Sequence, residues 1–146
     1  MAKRKVCIVT TTRADYGIFV PLIRAIREHP ALELQILASG SHLSDKHGFT
    51  YREIEQDGFP ISAKVDIAIG ADDSLGIAGT MARALAGFTG ALQELEPDVA
   101  VVLGDRYEIL CAAAAAALLK LPLAHLHGGE STEGAIDEAI RHSVTK

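Results

Sequence analysis

The chain has 146 residues, 49% of them hydrophobic and 23% charged, with a formal charge of −5, which suits one folded domain and excludes a disordered chain. With no basic block beyond Lys3-Arg4-Lys5, nucleic acid is excluded as a partner, and Cys7 and Cys111, each inside an apolar run, read as buried thiols of a reducing compartment. The longest apolar run, residues 109–119, is too short for a bilayer and no secretory leader pattern opens the chain, so a cytoplasmic protein with no membrane partner is expected.

Residues 5–10 (KVCIVT) form a β-branched apolar run and predict a first strand. A polar turn over 11–15 leads into helical spacing over 16–29, at Ile18, Leu22, Ala25 and Ile26, stopped by Pro30. Residues 32–38 read as a second strand and 40–48 as a loop rich in Ser, His and Asp. Thr50-x-x-Glu53 has the spacing of a capping box and predicts a short helix over 50–57. A weaker third strand follows over 61–65. Residues 71–79 read as a loop or helix entry, and a helix then runs to about Glu94. Residues 99–103 (VAVVL) make a strong fourth strand, 107–120 a helix, 123–126 a fifth strand, and a last helix begins near Ile136. Strands alternate with helices and are apolar on both faces, which predicts a Rossmann-like α/β unit: a parallel sheet with helices on both faces. Lys146 falls within or just after a helix with no strand to receive it, so a longer parent chain is expected.

In an open parallel sheet ligands sit beyond the carboxyl ends of the strands. Four such tips are polar here: 10–17 (TTTRADYG), 39–44 (SGSHLS), Gly104-Asp105-Arg106 and His127-Gly128-Gly129-Glu130. Each also has a plain reading. Asp105 and Glu108 have the spacing of a helix N-cap pair. Arg106 and Arg141 fit solvated helix charges. His125 lies inside a strand and fits a hydrogen-bonded core histidine, and His127 at the strand's end fits either role. The alanines 112–117 let a helix approach a sheet closely. A His125-x-His127 pair on one strand face, with Asp105 or Glu130 as third ligand, would suit a metal-dependent hydrolase. G-x-x-x-x-G-K-[ST] and a G-x-G-x-x-G after the first strand are both missing, which disfavours P-loop and dinucleotide chemistry.

Residues 12–17 (TRADYG), 104–108 (GDRYE), and His125-x-His127-Gly128-Gly129-Glu130 running on through Gly134-Ala135-Ile136-Asp137-Glu138-x-Ile140-Arg141-His142-x-x-x-Lys146 resemble the hydrolysing UDP-N-acetylglucosamine 2-epimerases, more narrowly the branch that serves sialic and legionaminic acid synthesis. The resemblance runs in order over the whole chain. It implies a glycosyltransferase-B-like enzyme of more than twice this length, with residues 1–146 as its N-terminal Rossmann-like domain and most UDP contacts supplied by a C-terminal domain. It further implies a UDP-sugar substrate, no metal or other cofactor, and a homodimer in the full-length form. The family reaction takes UDP-N-acetylglucosamine and water to N-acetylmannosamine and UDP through a glycal.

By the same resemblance, Asp105 corresponds to the catalytic aspartate after the fourth strand, and Asp137 and Glu138 to the acidic pair that opens the last helix, Asp137 being preferred. Arg13 suits the diphosphate, because a guanidinium stays charged and forks to phosphate oxygens. Asp15, His42, Arg106, Arg141 and His142 join it on the substrate-binding side. Where many members carry H-x-E-G-G, this chain has H-x-H-G-G-E: His127 takes the place of a carboxylate as proton carrier, or Glu130 folds back into the site. A 2,4-diacetamido-6-deoxy sugar linked to UDP is the alternative substrate, and a non-catalytic sugar-nucleotide-binding module the alternative function.

Overall fold

A computed structural model describes residues 2–129 and 136–146. Among them the chain order is β1 (Arg4–Thr10), α1 (Arg13–Glu28), β2 (Leu32–Ser39), short 3-10 turns at Gly40–Leu43 and Asp45–His47, α2 (Tyr51–Gln56), β3 (Ala63–Val65), α3 (Ser74–Leu95), β4 (Val99–Leu103), α4 (Tyr107–Leu118), β5 (Leu123–Leu126) and α5 (Ile136–Thr145). The strands form one parallel sheet in the order β3-β2-β1-β4-β5. The order reverses between β1 and β4, and that gap is the switch point where open α/β sheets bind ligands.

Alternation along β1 explains the layering. Val6 and Ile8 face a core shared with Tyr16, Phe19, Ile23 and Ile54 of α1 and α2. Cys7 and Val9 face the opposite core, with Phe88, Leu92, Ile109, Ala112 and Ala115 of α3 and α4 and Ile140 and Val144 of α5. Period-two side chains buried on both faces need helices on both faces. Burial lifts the Cys7 thiol to about 12 and the Cys111 thiol to about 11, so both are inert packing groups.

The structure redraws several boundaries. Helix α1 starts at Arg13, earlier than the apolar spacing shows, because Thr12 caps it and Asp15 closes the box: the Thr12 hydroxyl accepts Asp15 N–H at 3.1 Å and the Asp15 carboxylate accepts Thr12 N–H at 3.1 Å. The box expected at Thr50 does not form, since the side chains of Thr50 and Glu53 are engaged with His42 and Arg13. Asp73 caps α3 through Gly76 N–H at 2.7 Å, so residues 74–79 are helix. At 22 residues α3 is long and apolar enough by length and composition to cross a membrane, a segment the longest-run count passed over, but its Thr80, Ala84, Phe88 and Leu92 are buried within the fold.

Candidate active site

Loop one, between β1 and α1, is held from inside. Asp15 is 6% exposed; its Oδ2 accepts N–H groups from Thr11 at 3.0 Å and Thr12 at 3.1 Å and the Thr11 hydroxyl at 3.2 Å, while Oδ1 accepts the Thr10 hydroxyl. Burial pushes the Asp15 carboxyl above its ordinary range, against the pull of these hydrogen bonds. Loop two, after β2, lies across loop one: Thr11 C=O accepts Ser41 N–H at 2.9 Å and the Ser41 hydroxyl at 3.0 Å. Gly40 makes this crossing possible. Its φ is +59°, and a Cβ there would stand 2.7 Å from the Thr11 carbonyl oxygen.

His42 is fully buried, with Nε2 2.9 Å from the Thr10 hydroxyl and Nδ1 2.9 Å from the Thr50 hydroxyl. Burial lowers its pKa from 6.5 to about 4. The expectation of a direct substrate contact is therefore corrected for His42: the imidazole is sealed behind loop one with both ring nitrogens engaged. Asp15 spends both carboxylate oxygens on loop one, yet it also borders the recess at the β4 tip. A folded pKa below the unfolded one means that the unfolded chain binds more protons between about pH 4 and 6.5. The contribution is complete above pH 6.5 and is lost as pH falls toward 4, at up to about 1.4 kcal/mol per pH unit. Asp15, raised, works in the opposite sense. Denaturant melts of wild type and His42→Gln at pH 7 and 4.5 isolate the histidine: the variant should show a shallower loss on acidification, and equal losses would refute the assignment.

On the far side of the switch point, Asp105 follows β4. Its carboxylate pairs with Arg141 of α5, which is 4% exposed. Glu108, 2% exposed, accepts Arg106 Nε at 2.6 Å. Arg106 itself is the N-cap of α4 and makes no side-chain cap bond, so the plain capping reading of the Asp105/Glu108 spacing is not what the chain does. The ion pair to Arg141 brings α5 to the β4 tip. A recess of about 160 Å³ opens there, lined by Thr12, Ala14, Leu103, Asp105 and Arg106. Arg106 also borders a larger cavity of about 730 Å³, shared with Thr12, Arg13, Lys46, His47 and Asp72. Arg13 is exposed and meets Glu53 at 3.0 Å.

The other acidic and basic candidates lie on α5. Asp137 is exposed in its first turn; Glu138 is partly buried, with Oε1 3.6 Å from His142 Nε2, an ion pair only when the imidazole is protonated. Arg141 is one turn beyond both, so the acidic pair and the partner of Asp105 share one end of the fold. His127 leaves the strand with φ +61° and is exposed. His125 is bonded at both nitrogens, Nε2 to Gly104 C=O at 2.7 Å and Nδ1 to the Thr145 hydroxyl at 2.8 Å. The metal reading assumed two alternate strand residues with free nitrogens, and neither condition holds: His127 is beyond the strand and the His125 ring is committed. Among the described residues no group of three His, Cys, Asp or Glu side chains is placed to hold a metal ion. Glu130 lies outside the described residues.

Sequence reasoning did not count Thr10, Gly40, Thr50, Glu53 or Glu108 among the site residues, although Thr10 and Gly40 lie in the polar runs at the strand tips and the other three have capping spacing. Thr50 and Glu53 matter here through partners distant in sequence, His42 and Arg13.

The profile of the family described as UDP-N-acetylglucosamine 2-epimerase matches residues 24–146. The chain is 46% identical over its full length to the GDP/UDP-N,N'-diacetylbacillosamine 2-epimerase (hydrolyzing) of Campylobacter jejuni, covering 38% of that protein. It is 41% identical over 98% of its length to the polysialic acid biosynthesis protein P7 of Escherichia coli, covering 37% of it. The chain thus spans under two-fifths of the curated relatives it matches. Among solved structures, the UDP-GlcNAc 2-epimerase of Neisseria meningitidis bound to UDP-GlcNAc shares the fold over 97% of this chain at 20% identity and a TM-score of 0.80. The glycosyltransferase SnogD of Streptomyces nogalater does so at 20% identity and a TM-score of 0.59, covering 99% of this chain. With a sheet, a switch point and a sequence profile that agree, the chain belongs to the UDP-N-acetylglucosamine 2-epimerase family.

Proposed function

We propose that this chain is the acid/base half of a hydrolysing UDP-sugar 2-epimerase. The observation that carries the proposal is Asp105, tied to Arg141 and sharing a recess with its neighbour Arg106 and, across the β1/β4 switch point, with Thr12 and Ala14. The C2–H of a 2-acetamido sugar becomes acidic as the C1–O bond to UDP lengthens and C1 gains oxocarbenium character. A base then takes the C2 proton while UDP leaves with the C1–O electron pair, giving a glycal. Water adds its oxygen at C1, and a proton returns to C2 from the opposite face.

Asp105 and Asp137 are the carboxylates for this proton traffic, with Glu138 beside them and His127 or Glu130 as the second proton carrier. Arg141 orients Asp105. Arg13 and Arg106, which both line the larger cavity, supply positive charge for the departing diphosphate. The Campylobacter jejuni relative, named for N,N'-diacetylbacillosamine, favours a UDP-linked 2,4-diacetamido-6-deoxy sugar over UDP-N-acetylglucosamine as the preferred substrate.

Turnover of both sugar nucleotides in deuterated water tests the reaction and the preference together. The released sugar should carry deuterium at C2, and UDP release should be faster from the diacetamido substrate. Protium alone at C2 would point to plain glycoside hydrolysis and overturn the epimerase reading.

A further inference from the structure

We propose that His42 is a positioning residue: the buried hydrogen-bond chain Thr50–His42–Thr10–Asp15 presets the loop that presents Arg13 to the diphosphate. The inference rests on the sugar-nucleotide reading above. Full burial bars His42 from touching a ligand, so any effect on binding must pass through loop one.

The donors and acceptors run in one direction. With Asp15 ionised, the Thr10 hydroxyl gives its proton to Asp15 Oδ1, so the Thr10 oxygen accepts from His42 Nε2–H at 2.9 Å. A neutral ring then has Nδ1 free to accept the Thr50 hydroxyl at 2.9 Å. The other carboxylate oxygen gathers the N–H groups of Thr11 and Thr12. The chain therefore ends on the backbone immediately before Arg13. Arg13 is 73% exposed at its side chain and, among the described residues, its guanidinium is tied to Glu53 alone, through Nε. An exposed pair of that kind contributes roughly 0–1 kcal/mol and cannot by itself hold a guanidinium in place. What aims Arg13 is the loop beneath it. The first turn of α2 supplies both attachments, Glu53 outside and, through its preceding residue Thr50, the imidazole inside. The Tyr16 ring packs edge-on to His42 at 6.4 Å, which steadies the imidazole within the apolar layer. An apolar side chain would fill the same space, but it would leave the Thr10 and Thr50 hydroxyls without these partners.

A double-mutant cycle in the complete polypeptide tests this. His42→Leu and Thr10→Val are each made with and without Arg13→Ala, and kcat and KM are measured from UDP release. Each should lower kcat/KM about 10-fold in the wild-type background, chiefly through KM, and by less than about twofold once Arg13 is gone. His42→Gln, which keeps a donor toward Thr10, should recover part of the loss. Equal losses in both backgrounds would show that His42 and Thr10 serve stability alone and would overturn the proposal, as would a loss under about twofold with Arg13 present. If His42→Leu does not fold, Thr10→Val decides, because it removes one hydroxyl from a side chain of nearly the same shape. If the wild type releases no UDP from either sugar nucleotide, the sugar-nucleotide reading fails first and this proposal with it.

Discussion

Asp105→Asn in the complete polypeptide should keep the fold and lower kcat by about 10²-fold or more, the usual scale for losing a positioned acid or base. Asparagine retains an oxygen that can accept from Arg141, so the guanidinium, 4% exposed, keeps an acceptor. Asp105→Ala removes that acceptor next to a buried cation, and breaking such a pair costs roughly 3–5 kcal/mol when both charges are buried. Because the Asp105 side chain is 27% exposed, the lower end of that range or less is expected. The two variants thus separate chemistry from stability: Asn inactive but folded, Ala inactive and loosened. Steady-state kinetics with thermal melts on both would check this. Near-wild-type kcat in Asp105→Asn would leave Asp105 as the structural partner of Arg141 alone.

Gly40→Val should destabilise the domain by about 3 kcal/mol or more and abolish the ordered crossing of loops one and two. The position has φ +59°, which for a residue with a Cβ costs roughly 1–2 kcal/mol, and more for a β-branched one. The added Cβ would then lie 2.7 Å from the Thr11 carbonyl oxygen and 3.1 Å from the Thr11 Cβ, so backbone rather than a flexible side chain must give way. Moving Thr11 strips its carbonyl of the Ser41 donors and disturbs the N–H groups that Asp15 gathers. For a domain of this size the melting point should fall by roughly 3 °C per kcal/mol. Gly17→Ala is the control: nothing lies within 4 Å of its Cβ position, and it should melt at or above the wild-type temperature. Equal melting points for Gly40→Val and wild type would mean that the loops have room to part.

Composition and periodicity determined the architecture of this chain. Runs such as VCIV and VAVVL, apolar at every position, require burial on both faces, and strands alternating with helical spacing leave a parallel sheet as the simplest way to achieve it. Element order and the convergence of polar segments at the strand tips followed from that, because they depend on local pattern and chain order. The motifs at 12–17, 104–108 and 125–146 carried the family resemblance for the same reason: each is contiguous.

What the sequence could not show is how each polar side chain is occupied. His42 and Asp15 have the look of binding residues, but the fold turns them inward, onto Thr10, Thr50 and the backbone of loop one. Thr50 and Glu53 have capping-box spacing, yet partners at positions 42 and 13 outcompete the local bonds. Asp105 and Glu108 also have capping spacing, and their carboxylates go instead to Arg141 and Arg106. A carboxylate or hydroxyl has a choice of donors, and spacing records only those near in sequence. Which one it takes is decided when the sheet sets β1 beside β4 and brings Arg141, 36 residues away in the chain, against Asp105.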